Sequence, residues 1–160
     1  MEALRRDLRF ILLHMPMSDI VPYKTEEEDL LKKLNLKDWS RSVSKEWVPG
    51  SQFVVDKPMN PNGGGAAGSY TGWWSNGTAN GRGTWVQSDG KQRYDCFWVN
   101  GRMEGEAQFI VSAQLTPGQL PQVHQGRCAA GQPCDGFMSY HSDGVVWKWN
   151  SNEKKWKQWS

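Results

Sequence analysis

His124, Cys128, Cys134 and His141 carry nitrogen and sulfur donors of the kind that bind zinc, and they lie within one short stretch. Structural zinc sites draw such donors from closely spaced pairs. These four are spread singly along a segment of loop-like composition and fit no zinc spacing, so no metal site is assigned. Cys128 and Cys134 would close a small disulfide loop in an oxidising compartment. Three cysteines in the whole chain make no disulfide framework, and the simpler reading is two reduced thiols. The sequence holds no G-x-S-x-G, no phosphate-cradling P-loop and no carboxylate pair placed for general acid–base work. No catalytic residue and no cofactor is therefore expected. The remaining chemistry is recognition. In "WKWNSNEKKWKQW" Trp147, Trp149, Trp156 and Trp159 interleave with Lys148, Lys154, Lys155 and Lys157. The tryptophans read most simply as core or lid residues. The mixture also suits an anionic membrane surface. Nucleic acid needs a broader basic field than this and is not expected as a partner.

Pattern identifies the elements that would position these groups. A chain of 160 residues is one ordinary domain, and a formal charge of +2 exerts no global pull on nucleic acid or membrane. No apolar run reaches the length of a transmembrane helix. Ten tryptophans, with few aliphatic residues outside the N-terminal third, point to a mainly β fold with an aromatic core. Two helical segments precede it. "MEALRRDLRFILLHM" sets Leu4, Leu8, Ile11, Leu12 and Met15 on one stripe, and Pro16 ends it. Its arginines would suit a mitochondrial presequence, Glu2 and Asp7 would not, and a packing helix is the plainer reading. In "KTEEEDLLKKLNLKDW" Thr25 reads as N-cap and Glu28 completes a capping box, with Leu30, Leu31 and Leu34 as the apolar stripe. "NPNGGGAAGS" reads as a flexible linker. The chain thus divides into a helical and extended docking segment (1–59), a glycine-rich linker (60–69) and a β-meander with a Trp-rich tail (70–160).

Within the meander, Asn76-Gly77, Asp89-Gly90 and Asn100-Gly101 are two-residue hairpin signals. Counting outward from each turn pairs Trp74 with Ala79, Gly72 with Gly81 and Tyr70 with Gly83. The second turn pairs Trp85 with Tyr94, Gly83 with Cys96 and Gly81 with Trp98. The third pairs Trp98 with Met103, Cys96 with Gly105 and Tyr94 with Ala107. Paired residues share a face, so Tyr70, Trp74, Trp85, Tyr94, Trp98 and Phe109 fall together, interleaved with the small residues Gly72, Gly81, Gly83, Cys96, Gly105 and Ala107. Each ring then has a slot to lie in. The expectation is that this aromatic face also meets partners, since so large an apolar patch marks a contact surface. The other face is mostly polar. Trp73, Phe97, Val86 and Val99 interrupt it, as a satellite cluster under a loop or helix or as a second contact patch built on Trp73, Phe97 and Val99.

This pattern resembles the MORN-repeat family, whose unit reads Tyr-x-Gly-x-Trp-x-x-Gly-x-x-x-Gly-x-Gly-x-aromatic. One unit matches at Tyr70, Gly72, Trp74, Gly77, Gly81, Gly83, Trp85 and Gly90, and a second at Tyr94, Trp98, Gly101, Gly105 and Phe109. Cys96 and Ala107 stand where the family has glycine. The Tyr70 to Tyr94 interval is one residue longer than the usual unit, which suggests a bulge near Gln92 or Arg93. A degenerate third unit would run through Gly131, Gly136, Tyr140 and Asp143-Gly144. The resemblance implies an antiparallel β-hairpin meander. It also implies a non-catalytic scaffold or structural subunit whose partners are other proteins of a cytoskeletal, ciliary or membrane-associated assembly. A peripheral, anionic-lipid-binding module is the alternative, and an accessory domain of an enzyme complex, a mitochondrial one included, is the distant one.

Overall fold

The protein, described here from a computed structural model over residues 21–36, 50–112 and 116–159, is mainly β. Helix α1 (Thr25–Lys33) precedes β1 (Gln52–Met59), β2 (Gly68–Ser75), β3 (Thr78–Gln87), β4 (Gln92–Val99) and β5 (Arg102–Val111). There follow β6 (Gln122–Ala129), β7 (Gln132–Pro133), β8 (Met138–His141), β9 (Val146–Asn150) and β10 (Lys155–Trp159). They form one antiparallel sheet in the order β1-β2-β3-β4-β5-β6-β8-β9-β10, with β7 beside β6. Sequential neighbours and short turns make it a meander of hairpins. The amphipathic stretch Leu4 to Met15 lies outside the described residues.

Turn chemistry sets the hairpins. Asn76 and Gly77 have φ of 53° and 77°, and Asn100 and Gly101 have 51° and 77°, the paired left-handed conformation of a type I′ turn. Asp89-Gly90 differs from its expected form. Only the glycine has positive φ (75°). Its N–H donates to Gln87 O at 2.8 Å, and the Asp89 carboxylate accepts from Lys91 N–H at 2.9 Å, so this connection is a wider loop.

The register near the turns is the expected one, and it then slips. Trp74 faces Ala79, but further out Gly72 faces Gly83 and Tyr70 faces Trp85, in place of Gly81 and Gly83. Trp73 alone stands opposite Asn80, Gly81 and Arg82. The third hairpin repeats this: Trp98 faces Met103, whereas Cys96 faces Ala107 and Tyr94 faces Phe109, with Gly105 and Glu106 bulged out. The β3–β4 pairs of Trp85 with Tyr94, Gly83 with Cys96 and Gly81 with Trp98 stand as expected. The irregularities thus sit in β3 and β5 rather than near Gln92. Gly81 (φ 115°) and Gly105 (φ 74°) occupy them because a bulge needs a backbone that other residues adopt only under strain. A further hairpin, turning at Ala130-Gly131, pairs Cys128 with Pro133 near the turn and Gln125 with Met138 beyond it, which is the same slip.

Two segments are more tightly held than their composition suggests. β1 joins the sheet against β2. In the glycine-rich stretch, Asn62 N–H donates to Gly101 O at 2.8 Å and the Asn62 side-chain oxygen accepts from Met103 N–H at 3.0 Å. Residues 60–65 therefore clamp the β4–β5 turn, although nothing apolar advertises it.

On α1 the cap lies one residue earlier than its sequence signal. Lys24 is the N-cap, and its N–H donates to Glu27 Oε1 at 2.8 Å. Glu27, not Glu28, turns back, because Glu27 is the acid buried against the sheet. Leu30 and Leu31 bury against Ile110 and Val123, with Leu34 alongside.

Candidate interaction surfaces

Two rows of side chains cross the aromatic face. In one, directly paired residues run Tyr70, Trp85, Tyr94, Phe109 and His124. Beside it run Gly72, Gly83, Cys96, Ala107 and Gly126. Trp85 to Tyr94 and Tyr94 to Phe109 each measure 4.7 Å between ring centroids, and Phe109 stacks on His124 at 6.2 Å. His124, weighed in the sequence as a metal donor, is the fifth ring of this row. The Tyr70 ring folds over the small row: a Cβ on Gly83 would overlap its Oη and Cζ atoms, and one on Gly72 would come within 2.8 Å of the Oη. Two expected slots are corrected. Gly105 has open space where a Cβ would be, and Gly81 abuts Trp73 from the other face, so both serve their bulges.

The interaction-face expectation also changes. Tyr70, Trp74, Trp85 and Trp98 are each at least nine-tenths buried, and only Tyr94 and Phe109 of the six are half-buried. Their polar atoms are used internally. Tyr70 Oη donates to Trp73 O at 2.8 Å or Arg82 O at 3.2 Å, Trp85 Nε1–H to Met59 O at 2.9 Å, and Trp98 Nε1–H to Gly83 O at 3.1 Å. Rings lying flat on glycine fill the face themselves. Trp149 and Trp156 close its C-terminal end, the latter 5.4 Å from His124.

On the opposite face a row of polar side chains is buried. Thr71, Thr84, Asp95, Gln108 and Gln125 form a paired row across β2 to β6, and the first four are buried. Thr84 Oγ1 donates to Asp95 Oδ1 at 2.6 Å, and Gln108 Nε2 to Gln125 Oε1 at 3.2 Å. Arg93 anchors the incoming chain. It donates to both Asp95 oxygens (2.8 and 3.1 Å), to Pro22 O at 3.0 Å and to Val21 O, and its guanidinium lies 4.1 Å from the Tyr23 ring. Glu27 Oε1 is 3.7 Å away. Burial pushes the Glu27 carboxyl up, opposed by its bond from Lys24 N–H and by the Arg93 charge. The segment from Val21 through α1 covers this row, which is the surface that the charged, Leu-striped helix of the sequence lies on. The "RYD" signal was present, since Arg93 and Asp95 two apart on a strand must share a face. Of the second patch, Trp73 is buried edge-on to Phe53 at 5.6 Å, Phe97 is half-buried and Val99 is exposed.

Several groups with chemical potential are buried. Cys96, Cys128 and Cys134 are free thiols. Burial pushes Cys96 well up and Cys128 up to about 12, which keeps both protonated. Ser139 Oγ lies 3.2 Å from His124 Nε2, with Ser139 buried. Burial, with a smaller contribution from His141, lowers His124 from 6.5 to about 4. The unfolded chain therefore binds a proton that the folded chain refuses. Stability is expected to fall as pH drops from about 6.5 towards 4, by roughly 2 kcal/mol once partial hydration of the charged ring is allowed for. Urea midpoints measured across this range should show the loss, and His124→Phe should flatten it. Among the described residues, no group of three or more His, Cys, Asp or Glu side chains is placed to hold a metal ion. No family model and no curated protein matches the chain.

Proposed function

We propose that this chain is a non-catalytic interaction module or structural subunit of a larger protein assembly, built on a MORN-like sheet of interleaved rings and small residues. One observation supports this reading: several side chains able to do chemistry are built into the framework. Arg93, Asp95 and Glu27 tie α1 to the sheet, His124 and Ser139 bond to each other within the ring row, and the buried thiols are protonated. A fold that uses its polar groups this way offers stiffness and surface rather than a reaction. The family resemblance favours cytoskeletal or ciliary assemblies, with a mitochondrial one as the alternative. The test is co-purification of the tagged chain followed by mass spectrometry. A reproducible set of protein partners in near-stoichiometric amount is expected. If no protein is retained while the chain co-sediments with anionic vesicles, the reading gives way to a peripheral membrane module.

A further inference from the structure

We propose that the outer edge of β10 is a strand-addition site for an acidic, extended segment of a partner protein. This rests on the interaction reading above and gives its partner a chemistry.

The two ends of the sheet are unlike. At one end β1 is blunted: its register breaks between Val54 and Lys57, Asp56 has φ of 50°, and Pro58 has no N–H to offer. At the other end β10 pairs with β9 from Lys155 to Trp159 without a break. Among the described residues β10 has a neighbour on one side only, so its other side presents backbone donors and acceptors.

Side chains on that strand say what would add to it. Lys155, Lys157 and Trp159 alternate along one face, joined by Lys148, which pairs with Lys157 and holds its Nζ 4.5 Å from the Trp159 ring. Lys155, Lys157 and Trp159 are exposed by 63%, 47% and 54%. Their counterpart Trp156 points the other way, into the core. Glu153 already shows the preferred ligand: one of its oxygens is 2.6 Å from Lys157 Nζ and the other 3.4 Å from Lys155 Nζ. A strand with carboxylates at alternate positions would meet the same two lysines, with an apolar residue against Trp159. A second copy of the chain fits poorly, because antiparallel pairing centred on Lys157 sets lysine against lysine. A lipid surface would satisfy the charge but leave the edge amides unpaired.

The probe is a labelled nonapeptide alternating glutamate with valine, followed by fluorescence anisotropy. Binding is expected. The double variant Lys155→Glu/Lys157→Glu should weaken it by about tenfold or more, and Glu153→Gln should tighten it about twofold by removing the internal competitor. The peptide N-methylated throughout should lose about tenfold, because it cannot join the ladder. These positions are exposed, so thermal melts of the variants should match wild type. Equal binding of the methylated peptide would reduce the site to a charge effect and overturn the proposal. So would absence of peptide binding, or binding only to phosphatidylserine vesicles. If the lysine reversals leave the co-purified partners unchanged, the edge assignment fails while the interaction reading stands. If the peptide binds but no partner co-purifies, the reverse holds.

Discussion

Gly83→Ala is expected to lower stability by about 3 kcal/mol, large for the addition of one methyl group. The new Cβ overlaps the Tyr70 ring, and that ring is pinned by its hydroxyl to the carbonyls of Trp73 and Arg82 in a fully buried site. Overpacking costs about 1–3 kcal/mol, and displacing a buried phenol from its acceptors adds about 1–3 more. Ala107 holds the corresponding place in the next hairpin without penalty because Tyr94 is used differently. Tyr94 stands in the ring row between Trp85 and Phe109, with its hydroxyl 3.2 Å from Gln92 Oε1. A double-mutant cycle isolates the effect: in a Tyr70→Ala background, Gly83→Ala should cost less than about 1 kcal/mol. Equal losses in both backgrounds, by urea denaturation, would remove the steric account.

Arg93→Met should be comparably severe, about 3–4 kcal/mol. It leaves the Asp95 carboxylate, which has no solvent exposure, with Thr84 as its remaining side-chain donor among the bonds described. Removing one member of a buried ion pair costs more than removing both, because the survivor keeps its desolvation penalty. The double variant Arg93→Met/Asp95→Leu should therefore recover part of the loss. The guanidinium also binds the Val21 and Pro22 carbonyls and the Tyr23 ring. Both variants should then loosen the Val21 to Lys33 segment, with faster tryptic cleavage at Lys24 than in wild type. A single variant no less stable than the double would contradict this.

Which side chains share the aromatic face was legible because parity along a strand survives a two-residue slip. The bulges at Gly81 and Gly105 changed each ring's partner without changing its face, so the sorting was sound while the pairing of Tyr70 was not. What covers the polar face was not legible for a physical reason. Alternating polar residues look the same whether water or a helix covers them, and only the contacts of α1 with Ile110 and Val123 distinguish the two. His124 is not legible as a ring of the row because the hairpin turning at Ala130-Gly131 carries Cys128 at the place of Trp74 and Trp98. The clamp made by Asn62 has no sequence signature, since one asparagine in a glycine-rich run reads as linker.

One bulged hairpin, repeated, interleaves rings with small residues and so fills its own face. Cross-strand Hα–Hα nuclear Overhauser effects test it directly. Non-hydrogen-bonded antiparallel pairs bring these protons close, and the bulge decides which residues pair. Contacts are predicted along the β2–β3 and β4–β5 ladders in the slipped register, with Cys96 placed opposite Ala107 and Gly72 opposite Gly83. A ladder that runs unbroken from each turn, setting Cys96 opposite Gly105 and Gly72 opposite Gly81, would contradict the account.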